Sequence, residues 1–397
     1  MQLTGRERIM LALKGGTPDR VPSTPDISIM IPTKLSGKAF YDPIDLTDAY
    51  IRAARYFGID GWMFNGSIAY QYDDTCRDVT YETKIIKDTY EIKEYLTIMH
   101  TPEGDLTSTT VAPRDVPSTC TEKFIKDIKE QYKFLKYFFP GITGYDKTPY
   151  LRQKEEMQET GMICCYVGCP GLHSYFGFMR LEELTYAYYD YPEIFDELRE
   201  KHDKICVRQM EFAADAGVES ILTGGSGSIT LQSPEIFRKL SLPTIKKITK
   251  IAKEAGIISG IHSCGKEYSL VEMCATETDL DYVNPLEIPP MGDCGLADVK
   301  QKFGSKLALM GNLHTTQTML GSVELVRLEA LRAIRDAGQG GGFVLSTGDQ
   351  CGYNTPYENI FEIVKVAKEY GQYPLDIDKI ETEIKRLENK LQRSQRR

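Results

Sequence analysis

The sequence predicts an α/β protein built on a (β/α)₈ TIM barrel, with a β-rich segment inserted after the second strand and a helical extension at the C-terminus. Two observations carry this prediction. Short apolar runs that end in glycine, asparagine or serine recur along the 397 residues, and helical patterns fill the intervals between them. There are eight such runs, and eight parallel strands joined by helices close into a barrel.

The eight predicted strands are rich in valine, isoleucine and leucine, as expected for parallel strands that are buried on both faces. They lie at 21–27, 60–66, 163–168, 219–224, 257–263, 281–286, 307–312 and 342–347. Between them, apolar residues at helical spacing predict helices, for example over 192–217 and 233–256. This alternation predicts a single barrel over residues 1–375.

Residues 67–160 interrupt the alternation and are predicted to be an insertion that covers the barrel mouth as a lid. Within 74–112, polar and apolar residues alternate, and the segment from Pro102 to Gly104 is a turn signal. Alternation with a period of two is typical of strands. We therefore expect antiparallel strands in this insertion.

Residues 376–397 are predicted to form a charged C-terminal helix. Its apolar residues recur at spacings of 3 and 4, as in a coiled-coil seam. They are Ile377, Ile380, Ile384, Leu387 and Leu391. Two interpretations stay open: the helix packs on its own barrel, or it forms the contact of a homodimer.

Composition excludes several classes of partner. The formal net charge is -9, and no basic stripe is present, so no nucleic acid is expected to bind. The N-terminal segment carries charges inside its apolar run and predicts an amphipathic helix rather than a signal peptide, and no apolar stretch is long enough to cross a membrane. With ten cysteines and no secretion signal, we expect reduced thiols and a cytoplasmic location.

A candidate metal site lies at the end of the fifth predicted strand, in the string GIHSCG. His262 and Cys264 are two residues apart, so their side chains share one face of a strand. Cys351 follows the eighth strand and therefore lies at the same end of the barrel, where barrel enzymes carry their active sites. His262, Cys264 and Cys351 are the predicted metal ligands. The alternative is a buried histidine and two unrelated buried thiols.

The residue types indicate zinc. A set of one histidine and two cysteines suits Zn²⁺, and three protein ligands leave a fourth position open for substrate. A neutral imidazole and two thiolates cancel the charge of the ion, so a substrate thiol can bind, lose its proton and remain nucleophilic. This set favours thiolate alkylation over hydrolysis.

Other polar residues at strand ends are candidates for the same site. Asn65, Glu287 and Asn312 are predicted to contact substrate, and Cys169, Ser226 and His314 lie at comparable positions. Asp349 is the predicted catalytic residue, because a carboxylate two residues before a ligand can orient the metal shell. For all of them, a role in turns or hydrogen bonding is the alternative. Glu219 begins the fourth strand and is expected at the bottom of the barrel.

The sequence resembles the uroporphyrinogen decarboxylase superfamily, specifically its corrinoid-dependent methyltransferase branch. This branch includes the methylcobamide:coenzyme M methyltransferases and the methyltransferase components of demethylase systems. The resemblance covers nearly the whole chain. Its segments are RERIMLALKGGTPDRVP at 6–22, SPEIFRKLSLP at 233–243, HSCG at 262–265 and LALMGNL at 307–313. It implies that His262, Cys264 and Cys351 bind zinc and that a corrinoid, methylcobamide, is the co-substrate.

Two departures refine what the resemblance implies. The decarboxylase itself holds substrate carboxylates with an arginine-rich N-terminal signature, whereas the matching stretch here offers only Arg20. It also needs no metal. This chain has no D-x-H-x-x-G segment for cobalamin, so the methylcobamide is expected to arrive free or on a separate corrinoid protein that docks around the mouth.

The predicted function is zinc-dependent methyl transfer between a corrinoid and a small substrate, with a thiol preferred. The alternatives are a demethylase component that takes the methyl group from a methoxy or methylamine donor, a uroporphyrinogen-type decarboxylase, and a barrel that docks a corrinoid protein without catalysis. The sequence leaves the direction of transfer open.

Overall fold

The computed structural model describes residues 2–395. Over these residues the chain forms thirteen strands and fourteen α-helices. The strands are β1 Gly61–Gly66, β2 Ala69–Tyr72, β3 Thr80–Asp88, β4 Ile92–Thr101, β5 Gly104–Pro113, β6 Thr119–Glu122, β7 Ile142–Asp146, β8 Gly161–Tyr166, β9 Ser220–Gly224, β10 Ile258–His262, β11 Tyr282–Asn284, β12 Ala308–Leu313 and β13 Phe343–Thr347. The helices are α1 Gly5–Leu13, α2 Met30–Ser36, α3 Leu46–Phe57, α4 Thr148–Met157, α5 Leu172–Tyr175, α6 Leu181–Asp190, α7 Pro192–Ala216, α8 Ser233–Leu240, α9 Leu242–Glu254, α10 Tyr268–Glu277, α11 Leu296–Phe303, α12 Val323–Ala337, α13 Tyr357–Tyr370 and α14 Ile377–Gln395.

Seven strands form a curled parallel sheet in the order β1-β8-β9-β10-β11-β12-β13. The segment before β1 bridges its two edges: Ser23 pairs in parallel with Leu345 of β13, and its carbonyl accepts a 2.9 Å hydrogen bond from the Asp60 amide. The barrel prediction is confirmed. The first predicted strand, 21–27, is reduced to these bridges because Pro22 and Pro25 have no N–H to donate.

The inside of the barrel is filled by large side chains. Tyr282 is fully buried there, and its hydroxyl accepts a 3.0 Å hydrogen bond from the indole nitrogen of Trp62. Gly260 makes room for it, since a Cβ at that position would lie 2.1 Å from the Tyr282 ring. Ile9 and Leu13 of α1 belong to the same buried cluster. Below this layer, α1 therefore closes the bottom of the barrel.

The predicted helix over 192–217 is present as α7. The prediction of one continuous helix over 233–256 is wrong, because the chain breaks at Ser241 into α8 and α9. Pro243 lies in the first turn of α9. A proline cannot donate the backbone hydrogen bond that a continuous helix requires at this position.

The inserted β-rich segment is confirmed. Strands β3, β4, β5 and β6 form an antiparallel sheet, and β4 and β5 are joined by the turn predicted at residues 102–104. Met99 and Leu106 on this sheet are buried in one apolar cluster with Leu172 and Tyr175 of α5. The sheet is thereby anchored to the helices on one side of the barrel. The division of the chain at 67–160 and 376–397, and the lid role, stay predictions.

The C-terminal helix packs on its own chain. Ile380, Ile384 and Leu387 of α14 are buried against α12 and the main core. Ion pairs flank this contact, including one of 2.6 Å between Arg332 and Glu388. The apolar seam is therefore covered within one chain. None of the helices in residues 2–395 has both the length and the apolar character needed to cross a bilayer.

Candidate metal centre at the barrel mouth

Three potential ligands meet at the carboxyl ends of the strands. His262 is the last residue of β10, Cys264 follows it by two positions, and Asp349 lies two residues beyond β13. One donor atom from each of the three lies within 4.8 Å of the other two. Donor atoms in this range could converge on one ion after a small adjustment, because ligand bonds to zinc are ~2.0–2.3 Å long. We call these residues the mouth cluster.

The mouth cluster contains two of the three predicted ligands. Cys351 is not part of it: this residue is fully buried, and its amide donates a 2.7 Å hydrogen bond to the carbonyl of Asp26. Burial raises the pKa of the Cys351 thiol, and the charges of Asp26 and Asp349 add to that rise. Asp349, the predicted catalytic residue, takes the third position in the cluster. Metal ligation by Cys351 stays a prediction.

The residues present fit a bound cation. Nδ1 of His262 is buried without a hydrogen-bond partner, which is unfavourable unless another group binds it. Burial lowers the pKa of His262, so its imidazole is neutral, as a metal ligand must be. Burial also raises the pKa of Cys264 to about 12, and the charge of Asp349 contributes. A divalent ion bound by both side chains would favour the neutral imidazole of His262 and the thiolate of Cys264.

The loop that carries Cys264 is held by hydrogen bonds from beneath. Glu287 accepts a 2.5 Å hydrogen bond from the amide of Gly265, and the Thr230 hydroxyl accepts one of 2.9 Å from Lys266. The fully buried Glu267 in turn accepts a 3.0 Å hydrogen bond from the Glu287 amide. Glu287 thus positions the ligand loop, and its predicted contact with substrate stays a prediction.

A cavity of about 350 Å³ opens beside the mouth cluster. This is at the small end of the range for ligand sites, ~300–1,000 Å³. Its apolar wall consists of Trp62, Phe64, Tyr166 and Leu222, and its polar wall includes Asp26, Ser28, Asn65, Ser226, His262, Asp349 and Gln350. Within residues 2–395, no lysine or arginine lines the cavity. The site therefore suits a small neutral or cationic molecule better than a polycarboxylate.

The other predicted site residues fall into two groups. Asn65 and Ser226 line the cavity. Asn312, His314 and Cys169 are buried and do not line it. Nδ1 of His314 accepts 3.2 Å hydrogen bonds from two amides of the following turn, and the Cys169 thiol lies 2.6 Å from Nδ1 of His173. Substrate binding by Asn312 stays a prediction.

Sequence reasoning missed most residues of the cavity walls, including Trp62, Phe64, Asp26 and Ser28. Trp62 and Phe64 are two residues apart on β1, so they share the inward face. The alternation of side chains along a strand would have predicted this. Asp26 is an acid inside an apolar strand, and Ser28 donates a hydrogen bond to it. Burial raises the pKa of Asp26 to about 7, and Asp349 adds to the rise. A single acidic residue inside the predicted strand 21–27 could have indicated a functional position.

The bottom of the barrel holds an ionic network. The Asp60 carboxylate accepts hydrogen bonds of 2.6 Å from Arg8 and 2.9 Å from Arg20. Glu219 is paired there with Arg6 and Lys154, which agrees with its expected position. Arg20 is therefore engaged in an ion pair with Asp60 at the bottom of the barrel, opposite to the mouth. It cannot contact a ligand in the cavity.

Comparison with known proteins adds sequence and fold relationships. Residues 154–370 match the sequence model of the family described as Uroporphyrinogen decarboxylase (URO-D). The uroporphyrinogen decarboxylases of Coxiella burnetii strains Dugway 5J108-111 and RSA 493 / Nine Mile phase I are each 23% identical to this chain over 193 residues. These matches cover 46% of this chain and 49% of each relative, so the chain spans about half the length of the curated relatives it matches.

Among solved structures, the methyltransferase from Methanosarcina mazei superposes with a TM-score of 0.61 and 16% sequence identity. The superposition covers 93% of this chain and 99% of that chain. The two proteins share a fold over almost their whole lengths.

Proposed function

Since the chain belongs to the uroporphyrinogen decarboxylase family, we propose that it is a zinc-dependent methyltransferase that moves a methyl group between a corrinoid and a small substrate. Membership confirms the resemblance predicted from the sequence. The observation that carries the proposal is the mouth cluster of His262, Cys264 and Asp349 beside a small cavity without arginine or lysine. The fold shared with a methyltransferase supports it.

The metal would be held by His262, Cys264 and Asp349, with Cys351 as a further candidate in the same loop. When bound, zinc lowers the pKa of a coordinated thiol and acts as a Lewis acid toward a coordinated heteroatom. His262 contributes a neutral imidazole, and Cys264 gives up its proton when the ion binds. The Glu287 carboxylate keeps the Cys264 loop in place throughout.

A thiol is the proposed substrate, following the zinc and cysteine chemistry of the site. A second candidate is demethylation of a methoxy or methylamine donor. One observation favours it: Asp349 rather than a second thiolate lies in the mouth cluster, and an oxygen ligand makes zinc a stronger Lewis acid. Polarising the heteroatom that leaves the methyl group is then the main contribution of the metal.

The corrinoid is proposed to approach from outside the barrel. The cavity is at the small end of ligand sites, and the chain has no cobalamin-binding D-x-H-x-x-G segment. We therefore propose a separate corrinoid protein or free methylcobamide as the partner, docking at the mouth and the 67–160 insertion. All ten cysteines are unpaired thiols, which supports a cytoplasmic location.

The proposal is tested by following corrinoid absorbance in two reactions with the zinc-loaded protein. Methylcobalamin is mixed with a panel of small thiols, and cob(I)alamin with methoxy and methylamine donors. Demethylation of methylcobalamin supports the thiol as acceptor, and methylation of cob(I)alamin supports the second candidate. Cys264→Ala should abolish either change, and Cys274→Ala in α10, outside the mouth cluster and the cavity lining, is the matched control.

Two results would contradict the proposal. Corrinoid binding without any absorbance change, for every substrate, favours the docking barrel. Decarboxylation of uroporphyrinogen by zinc-free protein favours the decarboxylase, which the placement of Arg20 at the barrel bottom argues against.

A further inference from the structure

The outer edge of β3 is open along its whole length. In the inserted sheet the strand order is β3-β4-β5-β6, and within residues 2–395 no strand pairs with the free side of β3. All nine residues of the strand are exposed. A long edge strand with unpaired N–H and C=O groups is a template for pairing with another strand.

This edge also exposes large apolar side chains. Tyr81 is 61% exposed, Ile85 is 55% exposed and Ile86 is 54% exposed. By contrast, the apolar residues Ile380, Ile384 and Leu387 of α14 are buried within their own chain. Apolar residues left in solvent next to an unpaired strand indicate an interface.

We propose that a second copy of this chain covers the edge, with β3 pairing antiparallel to β3 of the partner around a two-fold axis at Thr83. The two inserted sheets then form one continuous sheet of eight strands. Such a contact is isologous, so the strand must be complementary to itself. The charges of β3 decide which register meets that condition.

Like charges disfavour three of the possible registers. When the axis passes through Glu82 or Lys84, that residue faces its own copy. When it passes through Ile85, Glu82 faces Asp88 of the partner subunit. Like charges directly opposite each other destabilise a strand pair.

The register centred on Thr83 has the opposite character. Glu82 faces the partner's Lys84, and by symmetry this pair occurs twice. Tyr81 faces the partner's Ile85, which also occurs twice and joins an aromatic to a β-branched side chain. Within one chain, Lys84 Nζ lies 3.2 Å from Glu82, so both charges stand on one face of the sheet, as this register requires.

The length of the regular edge fits the same register. Regular pairing about Thr83 extends from residue 81 to residue 85, because residue 81 then faces residue 85. β3 begins at Thr80, and its pairing with β4 is interrupted by a bulge between Ile85 and Lys87. A bulge bends a strand and ends regular pairing. An axis at Ile86 would lie on this bulge, and one at Tyr81 would leave only residues 80–82 paired.

Sedimentation equilibrium of the full chain tests the proposal, which does not depend on the proposed function. Wild type should form a dimer. Lys84→Glu and Glu82→Lys should each raise the Kd of the dimer about tenfold or more, because two attractive pairs become repulsive. Lys87→Glu makes the same charge change on the same strand beyond the bulge, and it should leave the Kd unchanged.

Complementation makes the test specific for the register. The double variant Glu82→Lys/Lys84→Glu should regain wild-type dimerisation, and an equimolar mixture of the two single variants should form heterodimers. A wild-type chain that stays monomeric at its highest soluble concentration would overturn the proposal. So would a dimer that is insensitive to both single substitutions.

Discussion

The two ends of the barrel treat their carboxylates in opposite ways. At the bottom, Asp60 is almost fully buried and is paired with Arg8 and Arg20. At the mouth, Asp26 and Asp349 line a cavity that no described lysine or arginine reaches. Charge is balanced within the chain at one end and left unbalanced at the other. In a barrel enzyme this is the expected division between a stabilising bottom and a functional mouth.

The pKa shifts follow the same division. Burial acts to raise the pKa of Asp19 at the bottom, but hydrogen bonds from Arg8 outweigh it and leave the pKa below its ordinary value. Asp26 at the mouth has no such partner, and burial raises its pKa to about 7. The bottom therefore provides its own cationic side chains for its carboxylates, whereas no described lysine or arginine does so at the mouth.

The largest expected effect is on catalysis at the mouth. Cys264→Ala removes a proposed ligand. The rate of methyl transfer should therefore fall by more than the ~10–100-fold that is typical when a residue supporting a metal ligand is substituted. The rate of corrinoid absorbance change is the measurement, made with equal amounts of folded protein. Unchanged activity in this variant would separate the reaction from the mouth cluster.

At the bottom, Asp60→Asn should cost stability rather than chemistry. The substitution leaves Arg8 and Arg20 without their shared carboxylate, and breaking a buried ion pair costs about 3–5 kcal/mol. Urea unfolding followed by circular dichroism measures the loss. A loss below about 1 kcal/mol would mean that the network contributes little to the stability of the barrel.

The pH dependence of stability should have opposite signs at the two ends. Because the folded-state pKa of Asp26 is raised, its contribution is fully present below the unfolded pKa of ~4 and is lost as pH rises through about 7. In zinc-free protein, Asp26→Asn should therefore become more stable than wild type toward pH 8, by at most about 4 kcal/mol.

Asp19→Asn is the matched comparison. The folded-state pKa of Asp19 is lowered, so its contribution is present above the unfolded pKa and is lost as pH falls. This variant should be less stable than wild type at neutral pH and approach it in acid. Parallel pH profiles for the two variants would contradict the comparison.

The smallest effect is expected beneath the metal ligands. Glu287→Gln weakens the hydrogen bond that holds the Gly265 amide, and changes of this kind lower metal affinity ~10–100-fold. Competition with a zinc chelator measures the affinity. Glu272→Gln, on the exposed side of α10, serves as the control and should bind zinc as wild type does.

Much of the fold could be predicted because its signals are local. Strand β13 was visible as an apolar run that ends before Gly348, and the inserted strands were visible by their alternation. Pro243 signals a helix break, but the apolar periodicity on both sides of it favoured one continuous helix. The seam of α14 was correctly located, whereas its partner helix depends on tertiary packing that periodicity does not encode.

The candidate site was predicted less completely, for a geometric reason. Strand geometry fixes His262 and Cys264 on one face. Asp349 and Cys351 follow a strand in a loop, and their spacing of two does not say which side chain turns toward His262. Asp26 could not be assigned to the site because its segment is short. Its place in the cavity depends on residues that are distant in sequence, such as Asp349 and Gln350.

The central claim, a zinc centre at the mouth, is tested most directly by metal analysis of purified protein. Zinc-loaded wild type should contain about one zinc per chain after removal of free metal, Cys264→Ala should contain almost none, and Cys351→Ala shows whether Cys351 joins the mouth cluster. Wild type that retains no zinc, or Cys264→Ala that retains as much as wild type, would contradict the account.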